Sequence, residues 1–177
     1  MRLIRHSVTG LTTLVIGAFW LALSAAAQAP DVDLRFIDNM TVHHQGAVDM
    51  AREALKKAKH PDLKTFAGQI IKDQTAEIHQ MKTWRNAWYK GAASAKSENI
   101  PGMQMKHGAP ADMRPGGYDV QFLHDMIAHH EGAIEMSKEV LEKGKRPEIK
   151  KLAQQIMKAQ EAEIEKMKRW RTEWEKA

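Results

Sequence analysis

Apolar residues recur at helical spacing, three, four, seven or eleven positions apart, through Phe36, Met40, Ala47, Ala51 and Ala58, and again through Leu63, Phe66, Ile70, Met81, Trp84 and Trp88. That spacing marks helices that bury one stripe and leave the rest in water. The two runs part at Lys59-His60-Pro61-Asp62. Proline can open a helix there, because the first turn leaves its N–H position without an intrahelical partner in any case. The pattern predicts a helical hairpin over residues 33–90.

The chain then repeats itself. An offset of 86 positions lays Asp33 to Trp88 onto Asp119 to Trp174 without a gap. FIDNMTVHHQGAVDMA from Phe36 falls on FLHDMIAHHEGAIEMS from Phe122, and AEIHQMKTWRNAW from Ala76 on AEIEKMKRWRTEW from Ala162. A second hairpin over 118–176, turning at Lys145-Arg146-Pro147-Glu148, is therefore expected. Helices of about 25 residues run about 37 Å, and two such hairpins can cover each other's apolar stripes as an all-α four-helix bundle. The predicted domain spans 31–177. Its linker, 91–117, carries Gly, Ala, Ser and Pro without helical periodicity, yet also Met103, Met105, His107 and Met113.

The first residues read as a secretory signal. Arg2 and Arg5 give a basic start, Leu11 to Leu23 is apolar, and small residues follow from Ser24 to Ala29. Cleavage is expected after Ala27, giving a signal peptide of 1–27, since cutting after Ala29 would place Pro30 at the new terminus. The alternative is an uncleaved N-terminal membrane anchor. Export would put the mature chain in the periplasm or outside the cell, with no membrane attachment once the signal is gone. The formal net charge is +5, but Lys and Arg alternate with Glu and Asp along the helices, which describes a solvated surface and not a nucleic-acid footprint. Cysteine is absent. That excludes a disulfide framework, thiolate catalysis and the common zinc and iron-sulfur ligand sets.

With Met40 at zero on a helical wheel of about 100° per residue, Ala47 falls near −20°, His43 near −60°, Met50 near −80° and His44 near +40°. Asp49 lies opposite and Glu53 well outside this arc. Two imidazoles therefore turn inward, where they need a partner or a metal. Gly46-Ala47 and Gly132-Ala133 allow another helix to approach closely. Adjacent histidines point about 100° apart, so His43 and His44 serve two roles or two sites. His43 with Met40 and Met50, mirrored by His129 with Met126 and Met136, makes the expected mixed imidazole-thioether set, while His44 and His130 face another helix. Gln74, Glu77, Met81 and Trp84, with Gln160, Glu163, Met167 and Trp170, form a stripe suited to an outer shell. Copper(I) favours thioether and imidazole, copper(II) imidazole and oxygen, and zinc or iron seldom recruits methionine. Met103, Met105 and His107 offer a second, linker-borne capture site.

The HH-x-x-A-x-x-M motif at His43 to Met50 and His129 to Met136, with Q-x-x-E-I-x-x-M at Gln74 to Met81, resembles the CopM-like family of domains of unknown function. The resemblance extends over nearly all of the chain beyond the signal. It implies an exported, ferritin-like four-helix protein associated with copper binding and resistance. The same resemblance makes Met40, His43, His44, Met50, Met126, His129, His130 and Met136 the ligand candidates, with Met81 and Met167 behind them.

The expected function is a copper-binding protein that buffers the ion or hands it to an efflux system or a cuproprotein, without turnover. Two other classes compete. A ferritin-like di-metal oxidoreductase would need inward Glu residues and Glu-x-x-His motifs, and only Glu77 and Glu163 answer. A metal-free structural or interaction bundle would hold its histidines by hydrogen bonds alone.

Overall fold

A computed structural model describes residues 31–103 and 116–176. The segment read as a secretory signal lies outside these residues, as do Met105, His107 and Met113.

Four helices follow one another: α1 (Val32–Lys57), α2 (Pro61–Trp88), α3 (Gly117–Lys143) and α4 (Pro147–Trp174). The Asp31 carboxylate starts α1 by accepting from the N–H groups of Asp33 and Leu34, two donors that the first turn would otherwise leave unpaired. Proline opens α2 and α4 as the spacing predicts. The residue before each, His60 (ψ 124°) or Arg146 (ψ 122°), is held extended because the proline ring crowds a helical predecessor. Gly116 precedes α3 at φ 77°. A Cβ there would lie 2.1 Å from the Val120 side chain, so this approach to the helix needs glycine.

The two hairpins form an all-α four-helix bundle in which α1 and α3 pack directly on each other. They run antiparallel: Asp33 at the start of α1 accepts from the N–H groups of Lys145 and Arg146 just beyond α3. Asp119 at the start of α3 does the same for Lys59 and His60 beyond α1. The duplication in sequence is thus a twofold relation in space. It recurs at the outer helices, where Trp174 stacks on His60 at 3.9 Å and the Arg146 guanidinium sits 4.1 Å over Trp88.

Apolar side chains gather in two clusters, each drawing on both hairpins. Phe66, Leu123, Met126, Ile164 and Met167 belong to one, and Ile37, Met40, Met81, Ile149 and Ile156 to its counterpart. Neither hairpin owns a core, so each depends on the other for burial that contributes about 1.5–3 kcal/mol per large aliphatic side chain.

Residues 91–103 form a strap, not the open tether that their composition suggests. Asn39 and Ser97 exchange two hydrogen bonds of 2.8 and 2.9 Å. Asp38 accepts from the Ala95 N–H and from Arg85, and Ile100 is buried. The strap therefore lies fixed against α1.

Candidate metal centre

The close α1–α3 approach brings the same residue of each repeat face to face. Ala47 and Ala133 are wholly buried at this crossing, and with no bulk between the helices the rings of His43 and His129 stand 3.7 Å apart, centroid to centroid, tilted by 39°. Both side chains are sealed from solvent, with 0% and 1% exposure. All four of their ring nitrogens lack a hydrogen-bond partner. Leaving a buried polar group unpaired costs about 1–3 kcal/mol, so this pair is held where the polypeptide gives it nothing to bind.

Electrostatics keeps both rings neutral. Burial first, and then the neighbouring imidazoles of His130 and His44, together push the pKa of His129 down to about 3. His43 is likewise held well below the ordinary histidine value, first by burial and then by His129, His44 and His130. Each ring also approaches the backbone of the opposite histidine, which acts weakly the other way without making a hydrogen bond. A neutral imidazole keeps one nitrogen lone pair free for a Lewis acid.

The second histidine of each pair turns to its own hairpin partner. His44 Nε2 lies 2.7 Å from Glu77 Oε2, and His130 Nε2 lies 2.7 Å from Glu163 Oε2. Both imidazoles are fully buried, whereas both carboxylates reach solvent at about a fifth exposure. A carboxylate accepts only, so the Nε2 proton faces it, and in the neutral ring the unpartnered Nδ1 is then the nitrogen that carries the lone pair. A carboxylate on the far nitrogen is the usual way to orient a metal-binding histidine. The His43 and His44 ring centroids are 6.3 Å apart, as are those of His129 and His130.

The methionines assort differently from the wheel's expectation. On the wheel His43 falls between Met40 and Met50 in angle, but ten residues of helix separate the two methionines by about 15 Å along the axis, too far for one ion. Met40 instead joins Met81 and Met136 in one apolar cluster, and Met126 joins Met167, with Met50 at its margin, in the other. The set His43, Met40, Met50 is therefore not a single centre, nor is His129, Met126, Met136. Met103 is placed where sequence reasoning did not look. Its sulfur and His129 Nε2 lie 3.1 and 3.3 Å from the same point, the position a Cβ on Gly46 would take. His124 is half exposed beside Asp125. Among the described residues, no group of three or more His, Asp or Glu side chains gathers at metal-binding distance.

Two features escaped the sequence. The pairing of His43 with His129 was available in principle, since a gapless duplication implies a twofold axis and a residue on that axis meets its own equivalent. The Glu77 and Glu163 contacts were half visible as polar positions on an otherwise apolar stripe.

The protein is thus a duplicated helical bundle with an imidazole pair buried where its two halves meet. Residues 33–171 match the domain of unknown function DUF305, and the chain belongs to that family. It is similar to CopM in its Cu(I)-bound form, with 41% identity and a TM-score of 0.69 over 80% of this chain and 96% of that one. The Cu(II)-bound form of CopM matches with 41% identity and a TM-score of 0.67 over 80% and 98%. A DUF305 fragment from Deinococcus radiodurans is 27% identical, with a TM-score of 0.69 over 82% of this chain and 98% of that one. An uncharacterized protein, L153, of Acanthamoeba polyphaga mimivirus is 47% identical over 49 residues, which is 28% of this chain and about a third (32%) of that protein.

Proposed function

We propose that this chain binds copper at the junction of its two repeats, around His43 and His129, and buffers the ion or passes it to an efflux system or cuproprotein outside the cytoplasm. One observation carries the reading: two neutral, fully buried imidazoles stand 3.7 Å apart with no hydrogen-bond partner on any ring nitrogen. Copper suits this donor set, since imidazole serves both of its oxidation states and thioether the lower one. Similarity to a protein known in Cu(I)- and Cu(II)-bound forms supports the same ion. His44 and His130, oriented by Glu77 and Glu163, are further ligands through Nδ1. Met40 and Met126 stand one turn before His43 and His129 as nearby thioethers. The basic, apolar and small-residue order of residues 1–27 supports export.

A di-metal oxidoreductase finds less support. Its iron or manganese would want several inward carboxylates, whereas beside the imidazoles each repeat offers one glutamate, already engaged by a histidine.

The test is metal analysis of the protein purified from copper-supplemented periplasm, followed by anaerobic copper(I) competition. The variant with His43, His44, His129 and His130 changed to alanine should lose high-affinity binding. Unaltered affinity in that variant rules the site out. In the metal-free alternative, added copper leaves the melting temperature of the native chain where it was.

A further inference from the structure

Gly46 and Gly132 are equivalent positions, one turn beyond His43 and His129, but the strap treats them differently. A Cβ on Gly132 would sit 2.4 Å from the carbonyl carbon and oxygen of Pro101 and 2.6 Å from the Gly102 nitrogen, so backbone already fills that notch. Next comes Gly102 at φ +75°, where a Cβ would lie 2.7 Å from the His129 carbonyl oxygen. Only glycine can turn the chain so close to α3. The chain then reaches Gly46, where the space holds the end of the Met103 side chain, with Sδ at 3.1 Å and Cε at 3.2 Å from the Cβ position, and His129 Nε2 at 3.3 Å. The Met103 N–H bonds to the Ile100 carbonyl at 3.1 Å, which ties this residue to the buried anchor of the strap. Met103 is also 37% exposed, an uneconomical place for a methionine whose only duty is packing.

We propose that Met103 is a thioether donor to the His43–His129 pair, making it a mixed site that takes one soft monovalent ion, copper(I) or silver(I), from the strap side of the bundle. This inference rests on the copper-binding reading of the pair. The sulfur and an imidazole nitrogen that has no hydrogen-bond partner both border the notch at Gly46, and Met103 itself reaches solvent. A thioether favours the monovalent soft ion and adds little for copper(II), which prefers imidazole and oxygen, so Met103 sets oxidation-state preference. Because backbone fills the equivalent notch at Gly132, the twofold mate of this thioether has no room. The pair therefore holds one ion per chain.

Silver(I), which does not change oxidation state, is the probe, with the full chain as purified. Met103→Leu keeps bulk and removes the sulfur. Gly132→Ala keeps every donor atom but drives Pro101 out of its notch, and so moves Met103 away. Both variants should bind silver(I) at least about tenfold more weakly, the lower bound for losing even an outer partner of a metal ligand, while copper(II) affinity stays unchanged. In the native chain labelled at methionine methyl carbon, the resonance absent from the Met103→Leu spectrum should shift with the first equivalent of silver(I). If Met103→Leu binds silver(I) as the native chain does while His129→Ala does not, the thioether proposal is overturned and the imidazole site stands. If His43→Ala and His129→Ala also bind silver(I) normally, the copper-binding reading fails with it.

Discussion

The carboxylate of Asp119 accepts a 2.7 Å hydrogen bond from the backbone N–H of His60. The same carboxylate accepts from Lys59, and Asp33 repeats the arrangement with Lys145 and Arg146. Each repeat thus closes the turn of the other, at opposite ends of the α1–α3 pair. The acids are 3% and 1% exposed, so replacing an oxygen acceptor by an amide donor leaves buried N–H groups facing another donor.

Asp119→Asn and Asp33→Asn should therefore each cost about 1–3 kcal/mol of stability, read from urea midpoints. Their effects should add, since the sites lie at opposite ends of helices about 39 Å long. A change within experimental error for either would show that the reciprocal caps are dispensable. Strong non-additivity would show that the two ends are coupled through the packed helices.

The buried imidazoles make the metal-free protein acid-sensitive, and the sign follows from which state takes up protons. Above about pH 6.5, His43 and His129 are neutral whether the chain is folded or not, and stability is complete. As the pH falls below that value, the unfolded chain binds protons that the folded chain refuses until about 3 for His129, with His43 shifted in the same direction. Stability falls through this window by up to about 1.4 kcal/mol per pH unit for each ring. Between pH 7 and pH 5 the pair should cost up to roughly 4 kcal/mol. The double variant His43→Leu, His129→Leu should lose that part of the slope in urea titrations at the two pH values. An identical loss in the variant and the native chain would mean that other groups set the acid response.

The hairpins were legible because helix periodicity and the prolines at 61 and 147 speak about neighbours in sequence. Angle around α1 also sorted Asp49 outward and both histidines inward. A wheel, however, discards the rise along the axis, which is why Met40 and Met50 looked like partners although they serve opposite clusters. It also carries no information about the facing helix, so the contact between His43 and His129 could come only from the symmetry implied by the repeat. The strap was the least legible part. Its order rests on Asp38 and Asn39 bonding to Ala95 and Ser97, contacts without periodicity between residues that read individually as helix surface and linker.

Glu77 and Glu163 offer a test of how the second histidines are used. In the neutral ring the carboxylate at 2.7 Å fixes the proton on Nε2 of His44 or His130, leaving Nδ1 as the basic nitrogen. Glu77→Gln substitutes an amide that can accept or donate, so the tautomer is no longer imposed. Long-range nitrogen NMR should show His44 as the Nε2–H form in the native chain and as a mixture in Glu77→Gln. Copper(I) affinity should fall about 10- to 100-fold, as when an outer partner of a metal-bound histidine is lost. Glu163→Gln should do the same through His130, because the repeat places it identically. A variant in which the tautomer mixes while copper(I) affinity holds would remove His44 from the ligand set and leave Glu77 a structural partner only.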